Sequence, residues 1–298
     1  MDGLVTLPAV ELKGGETGMS SSVRIGQREV GDGLPTFVVA EVGINHGGNV
    51  ETAKRLIEVA AKSGADAVKF QTYRTETRVA RDSPIFDILK KCELGEAAHR
   101  ELVRTARDVG IPFFSTPFDP ESVELLESLD VPAYKIASFD IVNLSLIRSA
   151  AAKGRPLIVS RGMASVAEID RAIEVMKTAR VTYVLLHCVS AYPLKPEDAN
   201  LRIIATLKRR YACPVGYSDH TIGVEVPVLA VAAGACAIEK HFTLDRNTPG
   251  PDHALSADPK HLATMVERIR ALEPILGPGE IRRLEAEQAI VPYRRPSA

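Results

Sequence analysis

Two histidines stand at matching points of two neighbouring segments. In VGYSDHT (215–221) and IEKHFT (238–243) a short apolar run gives way to a histidine, and His220 and His241 lie 21 residues apart. Neutral imidazole is a good ligand for Mn²⁺, Fe²⁺, Co²⁺ or Zn²⁺ and a poorer one for Mg²⁺. A site with two protein ligands would leave positions for water and substrate, as Lewis-acid catalysis requires. Either histidine could instead satisfy a nearby backbone group. Two of them on one rim beside acids favour the metal.

Two lysines pose the complementary question. Lys69 in AVKF and Lys135 in AYKI interrupt apolar runs, where an ammonium is costly unless it reaches water or an anion. With Ser138, Ser160 and Ser218 as hydroxyl donors, they could cradle a phosphate or a carboxylate. One lysine could alternatively form a Schiff base with a carbonyl substrate. The turn GINHGGN (43–49) is rich in glycine but matches neither a P-loop nor a dinucleotide fingerprint. His187, late in YVLLHC, reads as a satisfied core residue, and His99, His253 and His261 as peripheral.

These residues need elements that bring them together. From residue 36 the chain repeats a short β-branched run, a polar loop and an amphipathic helix. The strand candidates are 36–42, 67–70, 112–115, 133–136, 156–160, 182–188, 213–217 and 236–240. Helical periodicity falls at 50–64, 96–109, 120–129, 143–153, 165–179, 198–210, 223–233 and 258–276. Eight strands alternating with eight helices imply parallel βαβ units, and the count favours an α/β fold of the closed (β/α)8, TIM-barrel type. Residues just past the C-terminal ends of successive strands then converge over one barrel mouth. That set contains Glu41, Asn45, His46, Lys69, Gln71, Thr116, Asp119, Lys135, Ser138, Ser160, Ser190, Tyr192, Ser218, Asp219, His220 and His241, with Asp252 in the loop beyond. The opposite strand ends are mostly Ala, Pro, Cys and Gly.

Bulk properties exclude other classes. The 298 residues carry a formal charge of −1, so no global basic field draws the chain to nucleic acid or acidic lipid. No stretch approaches the ~20 apolar residues of a membrane helix. The N-terminus lacks the basic start and apolar core of a secretory signal. Four cysteines without a CxxC pair read as reduced, buried side chains, so a cytoplasmic location is expected. We expect a flexible leader over 1–22, one catalytic barrel over 23–280 and a tail over 281–298.

Taken together, AEVGINHGGNVETAKRLIEVAAKSGADAVKFQTY, FFSTPFD, YKIASFDIVNLSLI, SRGMAS, SAYP, GYSDHT, EKHFTLDR and GPDHALS resemble the sialic acid synthase family over about residues 22–276. The resemblance implies a transferase that forms a carbon–carbon bond between phosphoenolpyruvate and an N-acetylated amino sugar aldehyde, with release of phosphate. It implies a divalent cation on His220 and His241, Mn²⁺ ahead of Mg²⁺ or Co²⁺. It places phosphoenolpyruvate on Lys69, Gln71, Thr116, Lys135, Ser138, Ser160, Ser190 and Ser218, and the sugar on Glu41, Asp140, Tyr192 and Asp252. Glu41 is the expected proton-transfer or water-positioning group.

The chain also departs from the family pattern. Some members have Asn at the position of Ser190. SRGM stands where the family usually has STGM, so Arg161 is expected near the anion site, either strengthening phosphate binding or narrowing the pocket. Typical members continue into an antifreeze-like domain that reaches across a homodimer, and 281–298 falls where that domain would begin. KIASFDI looks more like the pseudaminic and legionaminic branch than the N-acetylneuraminate branch. Two rivals remain. One is a related synthase using a phosphorylated aldose, for which Arg161 is the single rim arginine in view. The other is a barrel that binds sugar with weakened turnover.

Overall fold

The computed structural model of the chain describes residues 22–295, so the expected leader lies, except for Ser22, outside the described residues. Eight parallel strands close into a barrel: β3 (Phe37–Gly43), β4 (Ala67–Thr72), β5 (Phe113–Pro117), β6 (Tyr134–Ile136), β7 (Leu157–Ser160), β8 (Tyr183–Cys188), β9 (Val215–Asp219) and β10 (Ala237–His241), which pairs back to β3. Eight helices alternate with them on the outside: α1 (Val50–Lys62), α4 (Glu96–Asp108), α5 (Pro120–Ser128), α6 (Leu144–Ala151), α7 (Val166–Thr178), α8 (Ile203–Tyr211), α9 (Glu225–Ala232) and α10 (Pro259–Leu276). The expected (β/α)8 barrel is the fold.

Local chemistry explains where helices begin and end. Asn49 caps α1 by accepting from the Thr52 amide, and Asp119 caps α5 by accepting from Ser122 with Pro120 at the first helical position. Ser165 and Glu168 make a reciprocal capping box on α7. Gly64 stops α1 with a φ of +86°, a conformation other residues reach only with strain. On α1, Ala53, Leu56, Ile57 and Ala60 form the stripe buried against the barrel. Truncating Leu56 to alanine should cost about 2–5 kcal/mol.

Strand alternation sorts the side chains into two layers. Val38, Ala40, Val68, Phe70, Tyr134, Leu157, Leu185 and Ile238 face outward into the layer shared with the helices. Val39, Ala67, Phe114, Ile158, Val184, Leu186 and Ala237 face inward and fill the lower barrel. A hairpin not foreseen from the sequence, β1 (Val23–Ile25) and β2 (Arg28–Val30), inserts Val23, Ile25 and Val30 into that inner cluster. It plugs the N-terminal end. A second addition fills the β4–α4 connection with α2 (Thr75–Arg78) and α3 (Phe86–Cys92).

Beyond α10 the described chain is irregular with two 3₁₀ turns, and Ile281, Ile290 and Tyr293 are exposed. Among the described residues no helix is long and apolar enough to cross a membrane. The four cysteines are free. His187 is buried as expected, but His99 and His253 are buried rather than peripheral. His99 bonds Thr72 Oγ1 at 2.9 Å and His253 bonds Thr243 Oγ1 at 2.7 Å, so hydroxyls compensate their burial.

Candidate active site

At the top of the barrel the inward positions change from apolar to polar. The parity that puts Val39 inside also puts Glu41 inside. Lys69 and Gln71 on β4, Thr116 on β5, Lys135 on β6, Ser160 on β7, Ser218 on β9, and Glu239 and His241 on β10 follow the same rule. They line a cavity of about 250 Å³. Of the residues given a ligand-binding, metal or proton-transfer role from sequence, all line this cavity except Asp140 and Ser190; of the wider rim set, Asn45, His46, Asp119 and Asp219 do not line it either. Asp140 sits one residue past the exposed Phe139, in the 3₁₀ turn Ser138–Asp140, and Asn143 Nδ2 donates to its carboxylate at 3.4 Å. Ser190 lies just behind the wall. A Cβ placed on Gly162 would meet Ser190 Oγ at 2.6 Å and both Ser138 Oγ and Cys188 Sγ at 2.8 Å. The buried Ser190 hydroxyl has no hydrogen-bond partner there.

The floor is a buried four-charge cluster. Lys69 Nζ stands 2.9 Å from Glu41 Oε2 and 3.6 Å from Glu239 Oε1, while Lys135 Nζ stands 3.8 Å from that same Glu239 oxygen. Hydroxyls complete the cluster. Lys69 donates to Thr116 at 3.2 Å, Lys135 to Ser160 at 2.7 Å, and Ser218 to Glu239 at 3.0 Å. Burial pushes Glu239 upward, but Lys135 and Lys69 outweigh it and hold its carboxyl down at about 2. Glu41 differs. Burial raises it, Lys69 recovers only part, the Glu239 charge adds to the rise, and its carboxyl ends near 7. Burial also lowers Lys135, whereas for Lys69 the two carboxylates overcome burial and raise it. Two ammonium groups thus face two carboxylates on the cavity floor, one of them held down and the other raised.

The two histidines meet across the mouth with ring centroids 5.7 Å apart. His220 Nδ1 lies 2.7 Å from the Val189 carbonyl, which can only accept, so this nitrogen carries the proton and Nε2 keeps its lone pair. Burial and the neighbouring His241 hold His220 down at about 4; burial and Lys69 hold His241 at about 3. Both are neutral and able to ligate. His241 Nδ1 is buried without a hydrogen bond, its nearest carboxylate oxygen being Asp252 Oδ2 at 3.9 Å. Among the described residues no three His, Cys, Asp or Glu side chains form a complete cage. The donor set fits an open site with two protein ligands. Tyr192 packs its ring 4.2 Å from that of His220.

Two charged lining residues were not picked out from the sequence. Glu239 shares its strand face with His241, and period-two spacing back from that histidine would have found it. Arg78 comes from α2 and had no such signal. Asn45 and Asp119 are instead structural: Asn45 donates to the Phe242 carbonyl at 2.9 Å, and Asp119 caps α5. Arg161, expected near the anion site, does not line the cavity. Its Nη2 donates to His187 Nδ1 at 2.7 Å, so it neither reaches the pocket nor narrows it. A larger hollow of about 1020 Å³ lies at the plugged end of the barrel. Arg28 pairs there with Asp66, Arg155 with Asp130 and Arg24 with Glu29, while Arg107 donates to the Leu129 carbonyl.

The match to known proteins follows the same geometry. Residues 56–281 fit the model of the NeuB family. This chain belongs to the NeuB family. Among the relatives of this NeuB family chain, the N,N'-diacetyllegionaminic acid synthase of Legionella pneumophila is 42% identical over 282 residues, covering 88% of this chain and 79% of the relative. The human N-acetylneuraminate-9-phosphate synthase is 37% identical over 276 residues, covering 88% and 77%. The crystal structure of N-acetylneuraminic acid synthetase from Leptospira borgpetersenii in complex with citrate superposes with a TM-score of 0.91 at 42% identity, covering 94% of this chain and 98% of that one. These three relatives are named as synthases of sialic-type acids.

Proposed function

We propose that this chain is a nonulosonic acid synthase that condenses phosphoenolpyruvate with an N-acetylated amino sugar aldehyde. C3 of phosphoenolpyruvate attacks the aldehyde carbon, the aldehyde oxygen becomes a hydroxyl, and water adds at C2. Phosphate departs with cleavage of the bond between C2 and the bridging oxygen, which it carries away, and the oxygen added from water becomes the carbonyl of a 2-keto acid lengthened by three carbons. The observation that carries this reading is the convergence of two buried lysines and two neutral histidines on one cavity.

The chain's residues have separable tasks. Lys69 and Lys135, with Thr116, Ser160 and Ser218, bind the carboxylate and phosphate of phosphoenolpyruvate by charge-assisted hydrogen bonds. Glu41, near 7, accepts the proton of the water adding at C2. Gln71 donates to Glu41 Oε1 at 3.1 Å and fixes that carboxyl. Tyr192 and Asp252 wall the sugar half. His220 and His241 would hold a divalent cation, Mn²⁺ ahead of Mg²⁺ or Co²⁺, which when bound would supply Lewis-acid polarisation of the aldehyde.

Phosphate release from phosphoenolpyruvate tests the reading, with Mn²⁺ present and a panel of unphosphorylated and 6-phosphorylated amino sugars. Release with unphosphorylated N-acetylated sugars is expected. Release with phosphorylated sugars alone would transfer the assignment to a related long-chain sugar acid synthase. No release with any acceptor would point to a sugar-binding barrel.

A further inference from the structure

The connection after β4 contributes Arg78, Ile85, Ile88 and Leu89 to the cavity wall, and among the described lining residues Arg78 is the one arginine. The guanidinium carbon lies 3.8 Å from the centre of the Phe118 ring and 4.4 Å from that of Tyr73, so two aromatic faces hold it in place. Nη1 donates to Gln71 Oε1 at 3.0 Å, which uses one of five N–H donors. Asp140, Asp252 and Glu41 are the carboxylates that act on its charge, yet Arg78 forms no ion pair among the described residues. Ile85 and Ile88, both exposed, line the cavity with it.

We propose that Arg78 contacts the acceptor sugar and sets its specificity by donating to the carbonyl oxygen of the N-acyl group. This inference rests on the synthase reading above. An amide offers an acceptor, a donor and a methyl group. The cavity here offers a donor in Arg78, an acceptor in Asp252 and apolar contact in Ile85 and Ile88. A dianionic phosphate fits less well, because it would meet one guanidinium among the carboxylates of Asp140, Asp252 and Glu41. The bond to Gln71 also explains why Arg78 is held ready: the amide oxygen of Gln71 takes the guanidinium, and its nitrogen is left to donate to Glu41.

Steady-state kinetics of Arg78→Met and Arg78→Lys test the proposal, using a 2-acetamido-2-deoxyhexose and the matching 2-hydroxy hexose as acceptors. In Arg78→Met, KM for the acetamido sugar should rise about 10–100-fold, the loss expected for a charged hydrogen bond. KM for phosphoenolpyruvate should stay within about twofold, and the preference for acetamido over hydroxy sugar should collapse. Arg78→Lys should restore part of that preference. An unchanged acceptor KM, or a fall in kcat alone, would overturn the proposal and leave Arg78 as a positioning residue for Gln71. A loss of preference confined to 6-phosphorylated sugars would overturn it in favour of a phosphate contact. If wild-type protein turns over with no acceptor at all, the synthase reading fails first and this inference with it.

Discussion

Asp219 and Lys240 meet at 2.5 Å, both fully buried, each one residue before a metal-candidate histidine. Alternation places this pair on the helix-facing side of β9 and β10, while His220 and His241 turn to the mouth. The Thr221 carbonyl also accepts from Lys240, and the Thr221 hydroxyl donates to Asp219 at 2.9 Å. The ion pair thus locks the register at the point where both strands release a histidine.

Removing one partner leaves an uncompensated buried charge. Lys240→Met should cost about 3–5 kcal/mol in urea unfolding. The double variant Asp219→Asn/Lys240→Met should cost less than the sum of the two single changes. Additive costs would show that the pair is not coupled.

Gly162 packs where a side chain has no room. Its backbone is not strained, so the effect of Gly162→Ala is steric: the new methyl must displace Ser138, Cys188 or Ser190. We expect a stability loss of about 1–3 kcal/mol by thermal unfolding. KM for phosphoenolpyruvate should rise at least severalfold while KM for the sugar changes little.

Glu41 should leave a signature in pH. With its carboxyl near 7, the ionised fraction grows as pH rises through that value, so kcat/KM should climb there. Glu41→Gln should lose that limb and about 10²–10⁴ in turnover. Stability should run the other way. Between 4.5 and about 7 the folded state holds a proton that the unfolded state has lost, so Glu41 costs the fold more as pH rises across this window. The unfolding midpoint of Glu41→Gln relative to wild type should therefore increase from acid to neutral pH. A flat difference would mean that Glu41 stays ionised throughout.

The histidines can be tested without turnover. Calorimetric titration with Mn²⁺ should show binding to wild type and its loss in His220→Ala and in His241→Ala. Far-ultraviolet circular dichroism should be unchanged in both. Retained binding in either variant would move the ion elsewhere.

Much of this architecture was legible because one pattern repeats. Each barrel strand is a short run with apolar residues in it, most barrel helices have a side-chain cap or a glycine stop, and period-two alternation carries Lys69, Lys135, Ser218 and His241 to one face. The hairpin β1–β2 escaped because each strand has three residues, too few to show a period. Arg78 escaped because its place depends on how an irregular connection folds over the mouth, which no spacing records. Arg161 was expected at the anion site because SRGM stands where the family usually has STGM. The structure turns it toward His187, a choice made by packing between β7 and β8. Glu239 was readable by the same parity as His241, two residues on.

The most direct test is the mass and stoichiometry of the product. Incubated with Mn²⁺, phosphoenolpyruvate and a 2-acetamido sugar, the wild-type chain should yield the sugar plus the elements of pyruvic acid, with one phosphate per molecule formed. His220→Ala and Lys135→Met should yield neither. Phosphate released without the lengthened acid, or the same product from both variants, would contradict the account.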